Sequence, residues 1–198
     1  MLWRFSTDTC IGSWHYEHRL FEQHRYKISE QIVKMLIDIV SKNGNLILSV
    51  PVRADGTIDE DEVACVEGIA EWMAANGEGI VGSRPWVVYG EGPSVTNPAP
   101  KGHFGGTRDV RTYTGEDIRF TTGGDSLYAF VLAWPESGKA AIKTLARGSP
   151  NYPKEIARVE LLGSPGPLAF TRDSAGLAVA LPEKKSGDYT YALKINPK

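Results

Sequence analysis

Aromatic and acidic side chains lie close together near the start of the sequence, at Asp8, Trp14, Tyr16 and Glu17. An aromatic face packs against the axial C–H groups of a pyranose, while a carboxylate accepts sugar hydroxyls or transfers a proton. This combination is typical of a sugar-binding pocket. The same residues also fit a structural interpretation, in which the two aromatics belong to the core and Asp8 is a loop or N-cap residue. Glu17 would then be an ordinary solvated side chain.

Histidines and cysteines give little support for a metal site or a disulfide. His15, His18 and His24 lie near one another but lack the fixed ligand spacing and the carboxylate partners of a metal centre. Cys10 and Cys65 are too few for a disulfide framework. We therefore expect no metal and two buried free thiols.

The next segment predicts a helix, a tight turn and a buried strand. Its apolar residues recur at the spacing of one helix face, at Ile32, Val33, Leu36, Ile37 and Val40. Ser29 is the predicted N-cap and Gly44 the left-handed residue after the helix. Residues 46–48, Leu-Ile-Leu, form an apolar run without alternation, which predicts a strand covered on both faces.

A second helix is predicted to begin after Asp59, with Glu62 three residues on, and to end at residues 76–77, Asn-Gly. Its predicted apolar stripe is Val63, Val66, Ile69, Ala70 and Met73. Helix, strand and helix form the repeat of α/β barrels and doubly wound sheets, but one strand is too few to close either. Residues 1–16 have no helical or strand period and predict an interior loop.

The second half of the sequence has the pattern of an all-β domain. Residues 80–115 are rich in Gly, Pro and Asn, which predicts a long connection. Seven short strand-like runs follow, at residues 118–122, 127–134, 141–145, 156–162, 168–172, 177–181 and 189–195. Their number and spacing predict a β-sandwich, with hairpin-type loops at residues 123–125 and 183–188.

Composition excludes several classes of protein. The formal net charge of −2, without a run of Lys or Arg, predicts no nucleic-acid and no membrane-surface partner. No apolar run approaches the ~20 residues that cross a bilayer, and the start lacks the pattern of a signal peptide. The sequence predicts a soluble protein and gives no compartment.

Four motifs together point to one family. They are Thr-Asp-Thr-Cys-Ile-Gly-Ser-Trp-His-Tyr at 7–16, Ile-Val-Ser-Lys-Asn-Gly-Asn-Leu-Ile-Leu at 39–48, Asp-Gly-Thr-Ile at 55–58 and Asn-Gly-Glu-Gly-Ile at 76–80. In order and spacing these closely resemble the α-L-fucosidases of glycoside hydrolase family 29. The resemblance is strong over residues 5–90, and the β-rich half looks like that family's C-terminal sandwich.

The resemblance implies an α+β chain in three parts. Residues 1–90 would be an incomplete C-terminal part of a (β/α)8-type barrel, residues 91–115 a linker and residues 116–198 an all-β sandwich. The implied activity is that of a retaining exo-glycosidase that hydrolyses terminal α-L-fucose from glycoconjugates without a metal or organic cofactor. Its site would lie at the C-terminal ends of the barrel strands.

The resemblance also implies which catalytic groups are present. Retention requires two carboxyl groups about 5–5.5 Å apart, a nucleophile and an acid/base. The family's aspartate nucleophile lies upstream of the first motif, so we expect these residues to lack it and to be inactive alone. The family's acid/base glutamate falls at Phe5-Ser6 here, which leaves Asp8 as the catalytic candidate, with Glu17 a weaker one.

The resemblance also implies which residues contact the substrate. Trp14 matches an aromatic of the family's pocket wall, and Tyr16 lies beside it in the motif. Ser49 lies at the C-terminal end of the predicted strand, where relatives often carry Asn. We therefore predict Trp14, Tyr16 and Ser49 as substrate contacts.

Two other interpretations stay open. The chain could complete a barrel with an N-terminal barrel partner, or serve as a non-catalytic carbohydrate-binding or stabilising module. In the second case sugar would contact Tyr113, Tyr128 or Trp134, which otherwise belong to the sandwich core. An incomplete barrel also leaves residues 46–48 uncovered, which predicts self-association.

Overall fold

The computed structural model describes residues 3–97 and 112–198. The first elements are β1 (Trp3–Asp8), α1 (His18–Glu22), α2 (Ser29–Ser41), β2 (Gly44–Ser49) and α3 (Glu60–Asn76). β1 and β2 pair in parallel, from Trp3 opposite Gly44 to Asp8 opposite Ser49. α2 lies between them in the chain and packs on β2. The first half is therefore a β-α-β unit followed by a further helix.

β1 corrects the prediction of an interior loop over residues 1–16. Arg4, Phe5 and Ser6 are all exposed, so the strand has no alternating pattern that sequence analysis could detect. The strand forms because its backbone pairs with β2 along its whole length. Tertiary pairing decides strand formation here, against the local pattern.

α2 is confirmed, but both of its ends differ from the prediction. Ile28 is the N-cap residue, and its N–H donates to the side chain of Gln31 at 3.1 Å. Ser29 instead donates its hydroxyl to the carbonyl of Cys65. At the other end Asn43 takes the left-handed conformation, with φ 63°. Gly44 begins β2, where a Cβ would lie only 2.8 Å from the side chain of Ile39.

β2 is not covered on both faces, contrary to the prediction. Ile47 is 55% exposed and its neighbours Leu46 and Leu48 are half-buried. Among the residues that the structure describes, β1 and β2 pair only with each other, so both outer edges of the pair are open. Phe5 on β1 is 48% exposed as well. An incomplete barrel accounts for this exposure, because parallel sheets are ordinarily covered on both faces.

α3 begins as predicted and buries a different face. The Asp59 side chain accepts the N–H of Glu62 at 2.9 Å. The residues buried along the helix are Glu62, Cys65, Trp72 and Asn76, whereas Val66 of the predicted stripe is exposed. Gly77 keeps a right-handed conformation, φ −59°, and the chain continues into a 3-10 turn. Hydrogen bonds of Asp59 with Tyr26 and of Glu62 with Thr9, near the helix start, select this face.

The second half contains two sheets. Its elements are β3 (Arg84–Glu91), α4 (Pro93–Thr96), β4 (Ile118–Gly123), β5 (Ser126–Val131), β6 (Lys139–Ile142), β7 (Ile156–Leu161), β8 (Phe170–Asp173), β9 (Gly176–Ala180) and β10 (Tyr191–Pro197). One sheet has the order β3-β4-β5-β10-β7 and the other β6-β9-β8. A common apolar core contains residues of both sheets. The seven predicted strands correspond to β4 through β10.

β3 adds a strand that the sequence analysis did not predict. It begins before the predicted domain limit at residue 90 yet pairs with β4, from Arg84 opposite Thr122 to Glu91 opposite Ile118. The domain limits at residues 90 and 115 stay a prediction, and residues 98–111 of the predicted linker lie outside the described residues. Residues 124–125 form the predicted β4–β5 hairpin turn. Residues 183–188 are not a hairpin loop, because they connect β9 and β10 of different sheets.

The two halves pack closely against each other. Val33 and Ile37 of α2 and Trp72 of α3 share a core cluster with Tyr128 and Phe130 of β5. The Trp72 indole N–H also donates to the carbonyl of Thr190 at 3.1 Å. The β-α-β unit is thereby fixed on the outer face of the five-stranded sheet.

Candidate active site at the ends of β1 and β2

Asp8 and Ser49 meet at the carboxyl ends of the two parallel strands. They are the last residues of β1 and β2 and lie opposite each other in the register. The N–H of Thr9 donates to the carbonyl of Ser49 at 3.1 Å and extends the pairing by one residue. In α/β barrels the residues at these strand ends carry the function. The structure therefore brings two of the predicted site residues together.

Lys27 binds the end of β1 from inside the protein. Its ammonium nitrogen lies 3.1 Å from Asp8 Oδ1, 2.6 Å from the Asp8 carbonyl and 3.5 Å from the Cys10 carbonyl. Asp8 and Lys27 are both 7% exposed. An ammonium group has three N–H donors, and all three find acceptors here. The Asp8 charge is therefore balanced by a buried partner.

Glu62 binds the next two residues of the same segment. Its Oε1 accepts the Thr9 hydroxyl at 2.5 Å and the Cys10 thiol at 3.7 Å. Oε2 is buried without a hydrogen-bond partner among the described residues. Burial raises the pKa of the Glu62 carboxyl, and the charge of Asp59 adds to this, while the Thr9 hydrogen bond acts in the opposite direction.

Cys10 and Cys65 are buried free thiols, as predicted. Burial, followed by the charge of Glu62, raises the pKa of Cys10 to about 12. Burial also raises the pKa of Cys65 to about 11. Since the thiolate is the reactive form, neither cysteine is a nucleophile at neutral pH.

Tyr26 and Asp59 add a further hydrogen bond to the cluster around residues 8–11. The Tyr26 hydroxyl donates to Asp59 Oδ2 at 2.5 Å, while Oδ1 of the same carboxylate caps α3. Burial, together with this hydrogen bond, raises the pKa of Tyr26. Backbone hydrogen bonds from Lys27 to Thr9 and from Ile11 to Arg25 hold the two segments side by side. Residues 8–11 are therefore fixed from both sides.

Tyr16 and Trp14 occupy different environments on the loop after β1. Tyr16 is half-buried, and its hydroxyl lies 3.3 Å from His18 Nδ1. A hydrogen bond with the Tyr16 hydroxyl, followed by one with Glu60, raises the pKa of Arg53, which lies on the loop after β2. Trp14 is 41% exposed and makes no hydrogen bond or ring contact within the described part of the chain. It is not a core aromatic.

Lys27, Arg53 and Glu62 are the residues of this site that sequence analysis missed. Lys27 precedes α2 and Arg53 lies between β2 and α3, both in connecting segments. Glu62 matches a helix-capping pattern, and that pattern does not predict its contact with Thr9. Each meets the site through long-range contacts, for which the sequence holds no local pattern.

Two of the three candidate histidines each lie next to a single carboxylate. His18 lies 3.4 Å from Glu22, and His24 lies 2.8 Å from Asp61. No group of three or more metal-ligating side chains occurs among residues 3–97 and 112–198. Over the same residues, no helix has the length and apolar character needed to cross a membrane.

The three aromatics of the alternative interpretation separate into two environments. Tyr128 is buried in the core and donates its hydroxyl to Glu78 at 2.7 Å. Tyr113 and Trp134 are half-buried and line a groove on the sandwich. The core interpretation is confirmed for Tyr128, while Trp134 and Tyr113 are partly buried and pack against the two core clusters.

Comparison with known proteins gives two family matches. The model described as alpha-L-fucosidase matches residues 3–78, and the model described as alpha-L-fucosidase C-terminal domain matches residues 111–196. The tissue α-L-fucosidase of Mus musculus is 26% identical over 91% of this chain and 34% of its own length. The plasma α-L-fucosidase of Rattus norvegicus is 30% identical over 86% of this chain and 32% of its own length. The chain thus spans about a third of these relatives.

Solved structures give the same result for the fold. The α-fucosidase of Thermotoga maritima, in complex with a mechanism-based inhibitor, aligns with a TM-score of 0.73 and 25% identity. The alignment covers 98% of this chain and 39% of that one. A family 29 α-L-fucosidase from Bacteroides thetaiotaomicron aligns over 100% of this chain and 38% of that one, with a TM-score of 0.72 and 18% identity, which shows the fold alone. A partial barrel followed by a β-sandwich is thereby confirmed. With both family models matched in order along the sequence, the chain belongs to the α-L-fucosidase family, glycoside hydrolase family 29.

Proposed function

We propose that these residues form the C-terminal part of a retaining exo-α-L-fucosidase, which hydrolyses terminal fucose from glycans. The observation that carries the proposal is the pairing of Asp8 with Ser49 at the strand ends, beside a loop that exposes Trp14. Such an arrangement suits one wall of a sugar site. The fucosylated substrate is inferred from the family to which the chain belongs.

Trp14 is the proposed stacking surface for the sugar. A large aromatic side chain that is exposed, and that has no hydrogen bond or ring contact among the described residues, provides a ring face for pyranose C–H groups. Tyr16 is proposed as a second contact, oriented by Arg53 from the neighbouring loop. Ser49 would offer its hydroxyl from the end of β2. These three roles are proposals that the family resemblance and the geometry support.

Asp8 is proposed to act mainly on the shape of the site. Its carboxylate is buried and bound to Lys27, so it has little access to a glycosidic oxygen. A general acid must come within hydrogen-bond reach of the oxygen that it protonates. We infer that Asp8 anchors the loop that carries Trp14, while its predicted catalytic role stays a prediction to be tested by Asp8→Asn.

We further infer that hydrolysis requires barrel segments outside these 198 residues. The β-α-β unit supplies two parallel strands, whereas a (β/α)8 barrel has eight. A retaining mechanism also needs a second carboxyl group facing the first, which the family resemblance places on an earlier strand. The exposed side chains of Phe5, Ile47 and Val52 are the surface that the missing segments, or a second copy, would cover.

The proposal is tested by supplying those segments. We would join the chain to the preceding barrel segment of the Thermotoga maritima relative, at the structurally aligned position, and assay release of an aryl leaving group from an α-L-fucoside. NMR of the first product should show α-fucose, since retention preserves the anomer. A joined protein that folds, as judged by its circular dichroism, but releases no fucose would contradict the proposal.

A further inference from the structure

A groove on the sandwich lies apart from the candidate active site. It has a volume of about 690 Å³ and is lined by Pro93 and by residues 113–116, 133–137, 139 and 141. None of these residues takes part in the contacts around Asp8 and Ser49. The volume falls in the range of about 300–1,000 Å³ typical of small-molecule sites.

Hydrogen bonds to one buried residue hold the groove in one shape. The Asp117 carboxylate, which is almost fully buried, accepts the N–H groups of Ser94 at 2.7 Å and Thr114 at 2.8 Å. Its backbone carbonyl accepts the N–H of Leu132 at 2.9 Å. One residue therefore ties together three of the segments that line the groove. A preformed site binds a ligand with a smaller loss of conformational entropy.

Two aromatic side chains form part of the wall, and both are held in place. The Trp134 ring packs edge-on against buried Tyr191, with centroids 4.6 Å apart, yet the tryptophan itself is only half-buried. The Tyr113 ring lies under the Lys34 ammonium at 5.6 Å and near the Arg119 guanidinium at 5.9 Å. Large flat side chains that are already ordered suit stacking with a sugar ring.

Three charged side chains lie near these rings and do not form ion pairs with one another. Glu116, Glu136 and Lys139 are exposed, and none of them makes an ion pair within the described part of the chain. Carboxylates accept hydroxyl hydrogens and an ammonium donates to hydroxyl oxygens. Two carboxylates against one ammonium leave a negative surplus, which disfavours an anionic ligand.

We propose that this groove is a second carbohydrate site, which binds a neutral pyranose of an oligosaccharide. Trp134 provides the stacking face, Glu116 and Glu136 accept hydroxyl hydrogens, and Lys139 donates to a ring substituent. The proposal goes beyond hydrolysis of terminal fucose, because the groove would hold a glycan by a unit other than the one that is cleaved. It does not depend on whether the 198-residue chain is active.

The test follows the indole N–H signals of the five tryptophans by NMR while the 198-residue chain is titrated. Lactose and fucosyllactose serve as neutral probes and sialyllactose as the anionic one. We expect a saturable shift of the Trp134 signal at millimolar lactose, and a severalfold weaker response to sialyllactose. Shifts of the Trp14 signal report separately on the candidate active site, so failure at one place is distinguishable from failure at the other.

Variants make the assignment specific. Glu136→Gln removes one charge from an exposed side chain that makes no ion pair with residues 3–97 or 112–198, so we expect the fold to be kept. We expect lactose to bind about fivefold more weakly, as when a charge-assisted hydrogen bond becomes a neutral one. Glu183→Gln, on the loop before β10, is the matched control and should bind as the parent does. Absence of a saturable Trp134 shift at tens of millimolar lactose would overturn the proposal. Equal binding by the parent and Glu136→Gln would overturn it too.

Discussion

The ammonium group of Lys27 lies 3.1 Å from the carboxylate of Asp8, and both side chains are buried where β1 ends and the loop with the exposed Trp14 begins. The same ammonium binds the carbonyls of Asp8 and Cys10. One cation from the segment before α2 therefore fixes the direction in which the chain leaves β1. This ion pair orients the candidate site at the strand ends.

Lys27→Met should destabilise the protein strongly, because it leaves the Asp8 carboxylate buried without a counter-charge. Breaking a buried pair in this way lowers the free energy of unfolding by about 3–5 kcal/mol. Lys42→Met removes a more exposed ammonium from an ion pair on α2 and should lower it by less than about 1 kcal/mol. Urea unfolding measures both. Equal effects of the two variants would refute the anchoring role of Lys27.

Arg119→Met should loosen the packing between the two halves. Arg119 on β4 is almost fully buried, and its Nε donates to Asp38 on α2 at 2.6 Å while Nη2 donates to Ser94. We expect a loss of about 3–5 kcal/mol, since Asp38 keeps only Lys42 as a charged partner. Arg158→Met, which breaks an exposed pair, should cost under about 1 kcal/mol in the same urea experiment. A comparable loss in both would exclude a special role for Arg119.

Glu62 gives the protein a measurable pH dependence. Its folded-state pKa is raised, chiefly by burial, so its contribution to stability is complete below the ordinary carboxyl pKa and is lost as the pH rises through the folded value. The slope reaches at most about 1.4 kcal/mol per pH unit. Glu62→Gln removes this titration. The unfolding free energy of the parent minus that of the variant should therefore decrease as the pH rises.

Carboxyls with a lowered pKa, such as Asp38, give the opposite slope in both proteins and cancel in that difference. Denaturant titrations across the acidic and neutral range provide the data. A difference that stays constant with pH would mean that the Glu62 carboxyl does not titrate differently in the folded and unfolded protein.

Ile47→Lys should reduce self-association of the 198-residue chain. Ile47 is exposed on the open β1–β2 pair, where we expect contact between copies. Val87→Lys is the control, because Val87 is also exposed but lies on β3 of the sandwich. Sedimentation at several concentrations should show the parent and Val87→Lys associating and Ile47→Lys doing so less. A parent that stays monomeric at high concentration would contradict the prediction.

Local apolar patterns in the sequence predicted the helices and strands whose side chains follow a regular spacing. The apolar spacing of Ile32, Val33 and Ile37 predicted α2, and the short apolar runs predicted the seven strands from β4 to β10. β1 and β3 were not predicted, because their side chains do not alternate cleanly between buried and exposed positions. Phe5, for example, is exposed. Backbone pairing with a distant partner creates these two strands.

The residues of the candidate site also fall into two groups, those that a local pattern predicts and those that it does not. A motif placed Asp8, Trp14 and Tyr16 on one segment, and the end of the predicted strand gave Ser49. Lys27 and Arg53 could not be predicted, because each reaches the site through a contact with another loop or strand. Contacts of this kind are set by the fold and leave no spacing in the sequence.

The most direct test of the account compares two proteins in the aryl α-L-fucoside assay: the 198-residue chain at high concentration, and the same chain joined to the preceding barrel segment of its Thermotoga maritima relative. We predict no turnover by the chain alone and turnover with retention by the joined protein. Trp14→Ala in the joined protein should lower kcat/KM by at least about tenfold if the tryptophan contributes about 1.4 kcal/mol or more to transition-state binding. Turnover by the chain alone, abolished by Asp8→Asn, would contradict the account, since the catalytic carboxylate would then lie within these residues.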